Sequence, residues 1–156
     1  TIGNPNNKDT RMGAIINQQQ VENVRRGITE LSKSSEVVYG GLDGDFKVLD
    51  ADKNKGAFMQ PTLFLNANPF ENLASHEIEA FGPVSTIMPY KDIEDAIRIS
   101  KLGKGSLVSS IVTNDDAIAE KFNFFFLLIL QLIVDMSPFV LKYGKRRLNL
   151  LLHRRG

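Results

Sequence analysis

Two carboxylates separated by a single residue are the first candidates for chemistry in this sequence. Glu77 and Glu79 would point to the same side of a β-strand, where either one could accept hydrogen bonds or carry a proton. A solvated polar face is the alternative, because most carboxylates lie on protein surfaces. The following residues, Phe81-Gly82-Pro83-Val84, favour the functional interpretation. An aromatic residue, a flexible glycine and a rigid proline predict an abrupt chain reversal that can project side chains into a cleft.

The rest of the sequence does not indicate a metal site or a phosphate-binding loop. The absence of cysteine excludes disulfides, thiolate metal sites and a cysteine nucleophile within these 156 residues. No metal site is expected at His76 or His153, because they lie far apart and zinc needs three or four ligands. His76 is therefore interpreted as a surface or hydrogen-bonded residue. The glycine groups at 40–44 and 103–105 match neither phosphate-binding pattern, so both are interpreted as turns.

Helices are predicted in three places by the spacing of apolar residues. The first covers residues 17–33, with Asn17 as its cap and Val21, Val24, Ile28 and Leu31 on one face. The second runs from Lys91 to Leu102 and ends at Gly103. The third is capped by Asn114 and continues through Phe122, with acidic residues in its first turn.

Strands alternate with these helices, which predicts an α/β fold with at least partly parallel pairing. Residues 42–56 show no clear period and are interpreted as a hairpin-like surface connection. Pro61 is expected to mark an edge or a bulge. The predicted strands are Glu36–Tyr39, Phe58–Leu65, Pro83–Met88 and Ser106–Thr113.

Composition limits the size and class of the protein. A length of 156 residues allows about one domain, and 42% hydrophobic with 24% charged residues is typical of a globular protein. A formal charge of +1 gives no reason to expect nucleic acid as a partner. The chain begins with Thr1 and shows no signal-peptide pattern, so its start is interpreted as cut and a cytoplasmic location is expected.

The composition changes abruptly near residue 122. Residues 1–121 carry 13 basic and 17 acidic side chains, a net charge of −4. Residues 122–156 carry six basic side chains and one acidic one, a net charge of +5, together with five of the ten phenylalanines. We therefore expect two parts of different origin, residues 1–122 and residues 123–156.

Four blocks within residues 1–122 resemble the aldehyde dehydrogenase superfamily, and they cover nearly all of that part. The most specific is His76–Tyr90, which resembles the family's Glu-x-Phe-Gly-Pro-Val motif. One departure is Gly13-Ala14, where the family usually has Gly-Pro. The other blocks are GNP at 3–5 with MGAIIN at 12–17, GAFMQPTLF at 56–64 and KGSLVSSIVTNDDAIAEKF at 104–122. The resemblance implies part of the family's α/β catalytic domain.

Within the superfamily, three motifs look most similar to the ring-opening proteins of phenylacetate degradation, namely EAFGPV at 79–84, TIMPYKDIEDAI at 86–97 and GKGSLVSSIVT at 103–113. These combine an aldehyde dehydrogenase domain with a hotdog-fold domain that opens oxepin-CoA. The dehydrogenase domain then oxidises the resulting CoA-linked semialdehyde, typically with NADP. The resemblance thus implies an oxidoreductase that uses NAD or NADP to convert an aldehyde to a carboxylic acid.

Two residues take on cofactor-binding roles through this resemblance. Glu79 matches the family glutamate that accepts hydrogen bonds from the nicotinamide ribose, and an ionised carboxylate suits two vicinal hydroxyls. Phe81 matches the aromatic residue that packs near the nicotinamide and helps to position it. Gly82 and Pro83 shape the loop and carry no chemistry.

The family's reacting groups have no counterpart in this chain. Its cysteine nucleophile, general-base glutamate and glycine-rich nucleotide segment precede Thr1 in the family order. The resemblance therefore implies a fragment without catalytic residues, inactive alone, from a protein that is homo-oligomeric at full length. A non-catalytic membrane-associated or scaffold protein derived from a dehydrogenase is the alternative.

Residues 123–156 do not resemble the family. As protein, the apolar run Phe124–Val134 is shorter than a membrane-spanning helix, and extending it adds Asp135 and Pro138. A membrane anchor flanked by the basic residues within 142–147 is the alternative interpretation. Translation in a shifted frame is the preferred hypothesis, because a shift permits His or Tyr at 135–136 and Glu-Ser-Thr at 148–151, at the subfamily's spacing. Exposed apolar side chains would make the isolated chain aggregate, which size-exclusion chromatography checks.

Overall fold

The computed structural model describes residues 1–103 and 111–122. These residues fall into two compact units, divided after Lys104. The first unit contains the strands β1 (Ile2–Gly3), β2 (Glu36–Tyr39), β3 (Val48–Leu49), β4 (Thr62–Leu65) and β5 (Val84–Ile87), and the helices α1 (Gln18–Leu31), α2 (Ala74–Glu77) and α3 (Ile93–Leu102).

The main sheet has three strands in the order β2-β4-β5. Its central strand β4 pairs antiparallel with β2 and parallel with β5, with Thr62 opposite Val84 and Leu65 opposite Ile87. Both the α/β class and the partly parallel pairing are thereby confirmed. The β4 strand is shorter than the predicted Phe58–Leu65, because it begins only after Pro61, which has no amide hydrogen for a ladder.

Helix α1 packs against this sheet through the apolar face that its spacing predicted. Val24, Ile28 and Leu31 are at most 3% exposed, and they form the core with Met59 and Phe64. Burying each such side chain stabilises the fold by roughly 1.5–3 kcal/mol. The predicted cap is also confirmed, because the Asn17 side chain accepts a hydrogen bond from the Gln20 amide at 2.8 Å.

The prediction of a hairpin-like connection at residues 42–56 was wrong. This segment contains β3, which pairs in parallel with β1 near the start of the chain. A two-residue strand leaves no periodic signal in the sequence, and its partner is more than 40 residues away. The turn at the end of β2 is confirmed, since Gly40 and Gly41 adopt φ values of 76° and 94°.

Helix α3 begins at Ile93, two residues later than predicted, because Asp92 is its cap and accepts a hydrogen bond from the Asp95 amide at 2.8 Å. Gly103 ends the helix as expected. Asp95 is itself buried and accepts a hydrogen bond from Arg98, whose guanidinium lies 4.7 Å from the centre of the Phe70 ring.

Asp95 should make the stability of this region depend on pH in the acid range. The Arg98 hydrogen bond, with that of the Lys91 amide, holds the Asp95 pKa below its ordinary value of 3.8 despite desolvation. A lowered folded-state pKa stabilises the fold above the ordinary value, and this contribution is lost as the pH falls through the folded-state pKa. We expect the free energy of unfolding of Asp95→Asn to fall less than that of the wild type when urea melts are compared from pH 6 down to pH 3. Equal pH dependence in both proteins would contradict this assignment.

In the second unit, residues 116–122 are helical, as predicted for this stretch. The predicted cap was wrong by one residue, because Asp115, not Asn114, accepts the amide hydrogen bond of Ala117 at 2.9 Å. Its own amide is held by the Thr113 hydroxyl at 3.1 Å. The predicted strand Ser106–Thr113 lies mostly outside the described residues, and its last three residues are not in a strand. The tail after Phe122 lies outside them entirely. Within the described ranges, no helix is both long enough and apolar enough to cross a membrane.

Candidate functional site

The candidate site is the loop Glu79–Gly82, which connects α2 to β5. Glu77 is the last residue of α2, whereas Glu79 lies beyond it, so the two carboxylates do not share a strand face. No sequence pattern indicated this four-residue helix, which is too short to show an apolar period. Of the carboxylate pair, only Glu79 belongs to the loop.

The loop reverses sharply at Phe81, as its sequence predicted. Phe81 has a φ of 44°, in the left-handed region that costs an L-residue roughly 1–2 kcal/mol. The turn closes when the Val84 amide donates to the Gly82 carbonyl at 2.7 Å. On the far side of the turn, the Thr62 amide donates to the Pro83 carbonyl at 2.8 Å, which joins the loop to the first residue of β4.

Helix α1 forms the base on which the loop lies. A Cβ atom added to Gly27 would lie 3.0 Å from the Cβ atom of Ala80, and one added to Gly82 would lie 2.5 Å from Val24 Cγ2. A side chain at Gly82 would force Val24 to move, and one at Gly27 would crowd Ala80, so the loop lies directly against the helix. This role of α1 was missed by sequence reasoning, although a glycine inside a helix is a recognised sign of close packing.

A buried polar network holds the segment before the loop. Asn66, at the end of β4, is fully buried, and its side-chain amide donates to the Asn72 carbonyl at 2.9 Å and to Ser75 Oγ at 3.3 Å. Ser75 Oγ also lies 3.2 Å from Ser35 Oγ. Because a buried amide without partners costs free energy, these bonds fix α2 relative to the sheet. The position of α2 in turn sets the direction in which the chain leaves this helix towards Glu79.

Glu79 and Phe81 are both exposed, and 73% of the surface of residue Phe81 is accessible to solvent. Within the described part of the chain, no group donates a hydrogen bond to the Glu79 carboxylate. An exposed aromatic ring on a strained backbone contributes little to the core, so its placement is not explained by folding. The loop therefore carries an exposed carboxylate acceptor and an exposed flat apolar ring two residues apart, and both are available to bind a ligand.

A cavity of about 380 Å³ adjoins this loop. Glu79, Phe81 and Gly82 line one part of it, and residues of β5 line another. Its remaining lining is mixed in character, with Leu31, Ile78 and Met88 beside the hydroxyls of Ser85 and Thr86. The two residues that the sequence placed in one site thus border the same cavity.

His76 is hydrogen bonded, as expected, because its Nε2 lies 2.9 Å from the Pro69 carbonyl oxygen. The described residues contain no group of three or more histidine, cysteine, aspartate or glutamate side chains that could hold a metal ion. The His76 side chain thus joins α2 to the segment that connects β4 with this helix.

Several known proteins are similar to this chain in sequence or in structure. The "3,4-dehydroadipyl-CoA semialdehyde dehydrogenase" of Aromatoleum evansii is 40% identical over 116 residues, which are 74% of this chain and 22% of that protein. The crystal structure of HpcC from Thermus thermophilus superposes with a TM-score of 0.70 at 25% identity, covering 80% of this chain and 24% of that one.

A betaine aldehyde dehydrogenase of Staphylococcus aureus, solved in complex with NAD+, shares the fold at 21% identity with a TM-score of 0.68, over 80% of this chain and 24% of that one. The chain therefore spans about a quarter of the length of these proteins. Residues 1–124 match the sequence model of the aldehyde dehydrogenase family. The resemblance drawn from the loop motif is confirmed, and the chain belongs to the aldehyde dehydrogenase family.

Proposed function

We propose that the loop Glu79–Gly82 binds the nicotinamide half of NAD or NADP in an aldehyde dehydrogenase. The observation that carries this proposal is the pairing of the Glu79 carboxylate, which has no partner in the described residues, with the exposed left-handed Phe81. Neither feature contributes to the core, and both border one cavity. A ligand with hydroxyl groups and a flat ring would use both.

The residues present fit the nicotinamide nucleoside. The Glu79 carboxylate would accept hydrogen bonds from the ribose hydroxyls, since a charged acceptor makes bonds about twice as strong as a neutral one. The Phe81 ring would pack near the nicotinamide and restrict its position. When bound, the cofactor supplies the hydride acceptor for the oxidation of an aldehyde to a carboxylic acid. The support from the comparisons is the family itself, together with the NAD+ complex of the related betaine enzyme.

A CoA-linked semialdehyde is the proposed substrate of the complete enzyme, in phenylacetate catabolism. The name of the Aromatoleum evansii relative supports the CoA-linked semialdehyde. The motifs within residues 79–113 support the assignment to phenylacetate catabolism. We also propose that the complete protein is cytoplasmic and forms a homo-oligomer. The test is to compare the rate at which the complete enzyme oxidises a CoA-linked semialdehyde with its rate on the same semialdehyde lacking CoA.

The 156-residue chain alone should oxidise no aldehyde. It contains no cysteine to form the thiohemiacetal from which hydride leaves. The measurement is the absorbance of reduced cofactor when the purified chain is mixed with an aldehyde and NAD or NADP. Aldehyde-dependent formation of reduced cofactor above the rate without protein would contradict the proposal.

A chimeric enzyme tests the proposed function in a complete catalytic setting. Residues 1–122 would replace the matching segment of the Aromatoleum evansii enzyme, which supplies the rest of the protein. We expect the chimera to form reduced cofactor with the semialdehyde that the parent's name specifies, at a rate within about tenfold of the parent. The same protein with the segment deleted is the control and should be inactive.

The decisive negative result is a well-folded chimera that does not use the cofactor. If the chimera has the parent's melting temperature and oligomeric state but binds neither NAD nor NADP, the loop does not have the proposed role. A chimera that binds cofactor and turns over the aldehyde supports it. Melting and elution profiles separate a failure of function from a failure of folding.

The tail is proposed to lie outside the family unit. The change in charge and phenylalanine content near residue 122 supports a boundary there, as does a family match over residues 1–124. We attribute residues 123–156 to a shifted reading frame, and the coding DNA tests this directly. If neither shifted frame yields a family-like continuation, the hypothesis is wrong.

A further inference from the structure

A row of polar side chains on helix α1 ends at the backbone of Phe81. Gln20 Nε2 donates a hydrogen bond to the Phe81 carbonyl oxygen at 3.0 Å, although the two residues are 61 positions apart in the chain. Gln20 is half-buried at this contact. The bond therefore joins the helix to the residue of the loop that has the least favourable backbone conformation.

The other end of the Gln20 amide is also engaged. Its Oε1 accepts a hydrogen bond from Asn23 Nδ2 at 3.2 Å. Asn23 Oδ1 accepts in turn from the Arg26 guanidinium and from Gln19 Nε2, the latter at 3.4 Å. Because Asn23 donates to Oε1, the Gln20 amide is oriented with its nitrogen towards Phe81. The amide could not rotate by half a turn without losing both bonds.

Phe81 needs such a restraint. Its φ of 44° is unfavourable for a residue with a side chain, and its ring is too exposed for packing to hold it there. We infer that Gln20 is a positioning residue that holds Phe81 in its left-handed conformation and so fixes where the ring stands at the cofactor site. The functional part of this inference rests on the proposed cofactor role of the loop, whereas its structural part does not.

Hydrogen exchange of the full 156-residue chain tests the structural part. Gln20→Glu keeps the length and helix propensity of the side chain but replaces the donating amide with a carboxylate, which cannot donate to the carbonyl at neutral pH. We expect the exchange rate of the Val84 amide, whose acceptor is the Gly82 carbonyl, to rise about fivefold, as for the loss of one hydrogen bond.

Gln18→Glu is the matched control, because Gln18 Nε2 donates to the Gly56 carbonyl at 3.1 Å, a bond of the same kind elsewhere. This variant should leave exchange at Val84 unchanged. Equal exchange rates at Val84 in the wild type and in Gln20→Glu would overturn the inference. So would an equal increase in the Gln18→Glu control.

Kinetics of the chimera test the functional part separately. With Gln20→Glu we expect kcat/KM for the cofactor to fall about fivefold, while KM for the aldehyde and the melting temperature stay unchanged. Faster exchange with unchanged cofactor kinetics would retain Gln20 as a loop restraint but count against the cofactor role of Phe81. Unchanged exchange would reject the positioning role whatever the kinetics show.

Discussion

Replacing Glu79 with glutamine in the chimera should lower kcat/KM for the cofactor by about 30-fold to 100-fold. The substitution preserves the size of an exposed side chain and removes only its charge, so we expect the fold to stay the same. A hydrogen bond to a charged acceptor contributes about 1.5–3 kcal/mol. Without the charge on residue 79, the bonds from the two ribose hydroxyls would each lose part of this free energy. The measurement is the initial rate at varied cofactor concentration with saturating aldehyde.

Glu77→Gln is the control for this prediction. Glu77 is two residues away and also exposed, but it ends α2 and does not line the cavity. We expect it to change cofactor kinetics less than about twofold. If both substitutions have the same effect, the loss reflects net charge, and the specific role of Glu79 is wrong.

Replacing Gly82 with alanine should have the largest effect on the structure of the loop. The added Cβ would lie 2.5 Å from Val24 Cγ2, and Val24 is fully buried. A valine in a helix has one strongly preferred rotamer, so its methyl group cannot turn away without cost. We expect a loss of about 2 kcal/mol in the free energy of unfolding, as is typical of overpacking, together with displacement of Phe81.

Urea denaturation of the full chain, followed by circular dichroism, measures this loss. Gly13→Ala is the matched control, because an added Cβ at Gly13 meets no atom within 4 Å. That variant should change the free energy of unfolding by less than about 0.5 kcal/mol. A Gly82→Ala protein as stable as the Gly13→Ala protein would show that the loop does not lie against α1 as described.

The elements with strong apolar periods could be predicted from sequence. Helix α1 shows this most clearly, since Val24, Ile28 and Leu31 recur on one face and Asn17 caps the first turn. Strand β2 was also predicted with its observed limits, because β-branched residues precede two glycines that end it. In these cases, local preference and tertiary packing favour the same structure.

Elements that depend on distant partners could not be predicted. Strand β3 exists only because β1 pairs with it, and α2 is a single turn fixed by Asn66 and Ser75. Gln20 carried no sequence signal, because a polar residue on an exposed helix turn resembles any other solvated residue. The candidate site residues Glu79 and Phe81 came from a motif. Helix α1 was predicted as an element, whereas its contact with the loop is visible only in three dimensions.

Cofactor-dependent hydrogen exchange in the chimera tests the central claim most directly, because it reports where the cofactor binds. Saturating NAD or NADP should slow exchange of the backbone amides in residues 79–84, and Glu79→Gln should remove most of this protection. The rest of residues 1–103 should change little by comparison. Cofactor binding that leaves residues 79–84 unprotected, with protection confined to other segments, would contradict the assignment of this loop to the nicotinamide site.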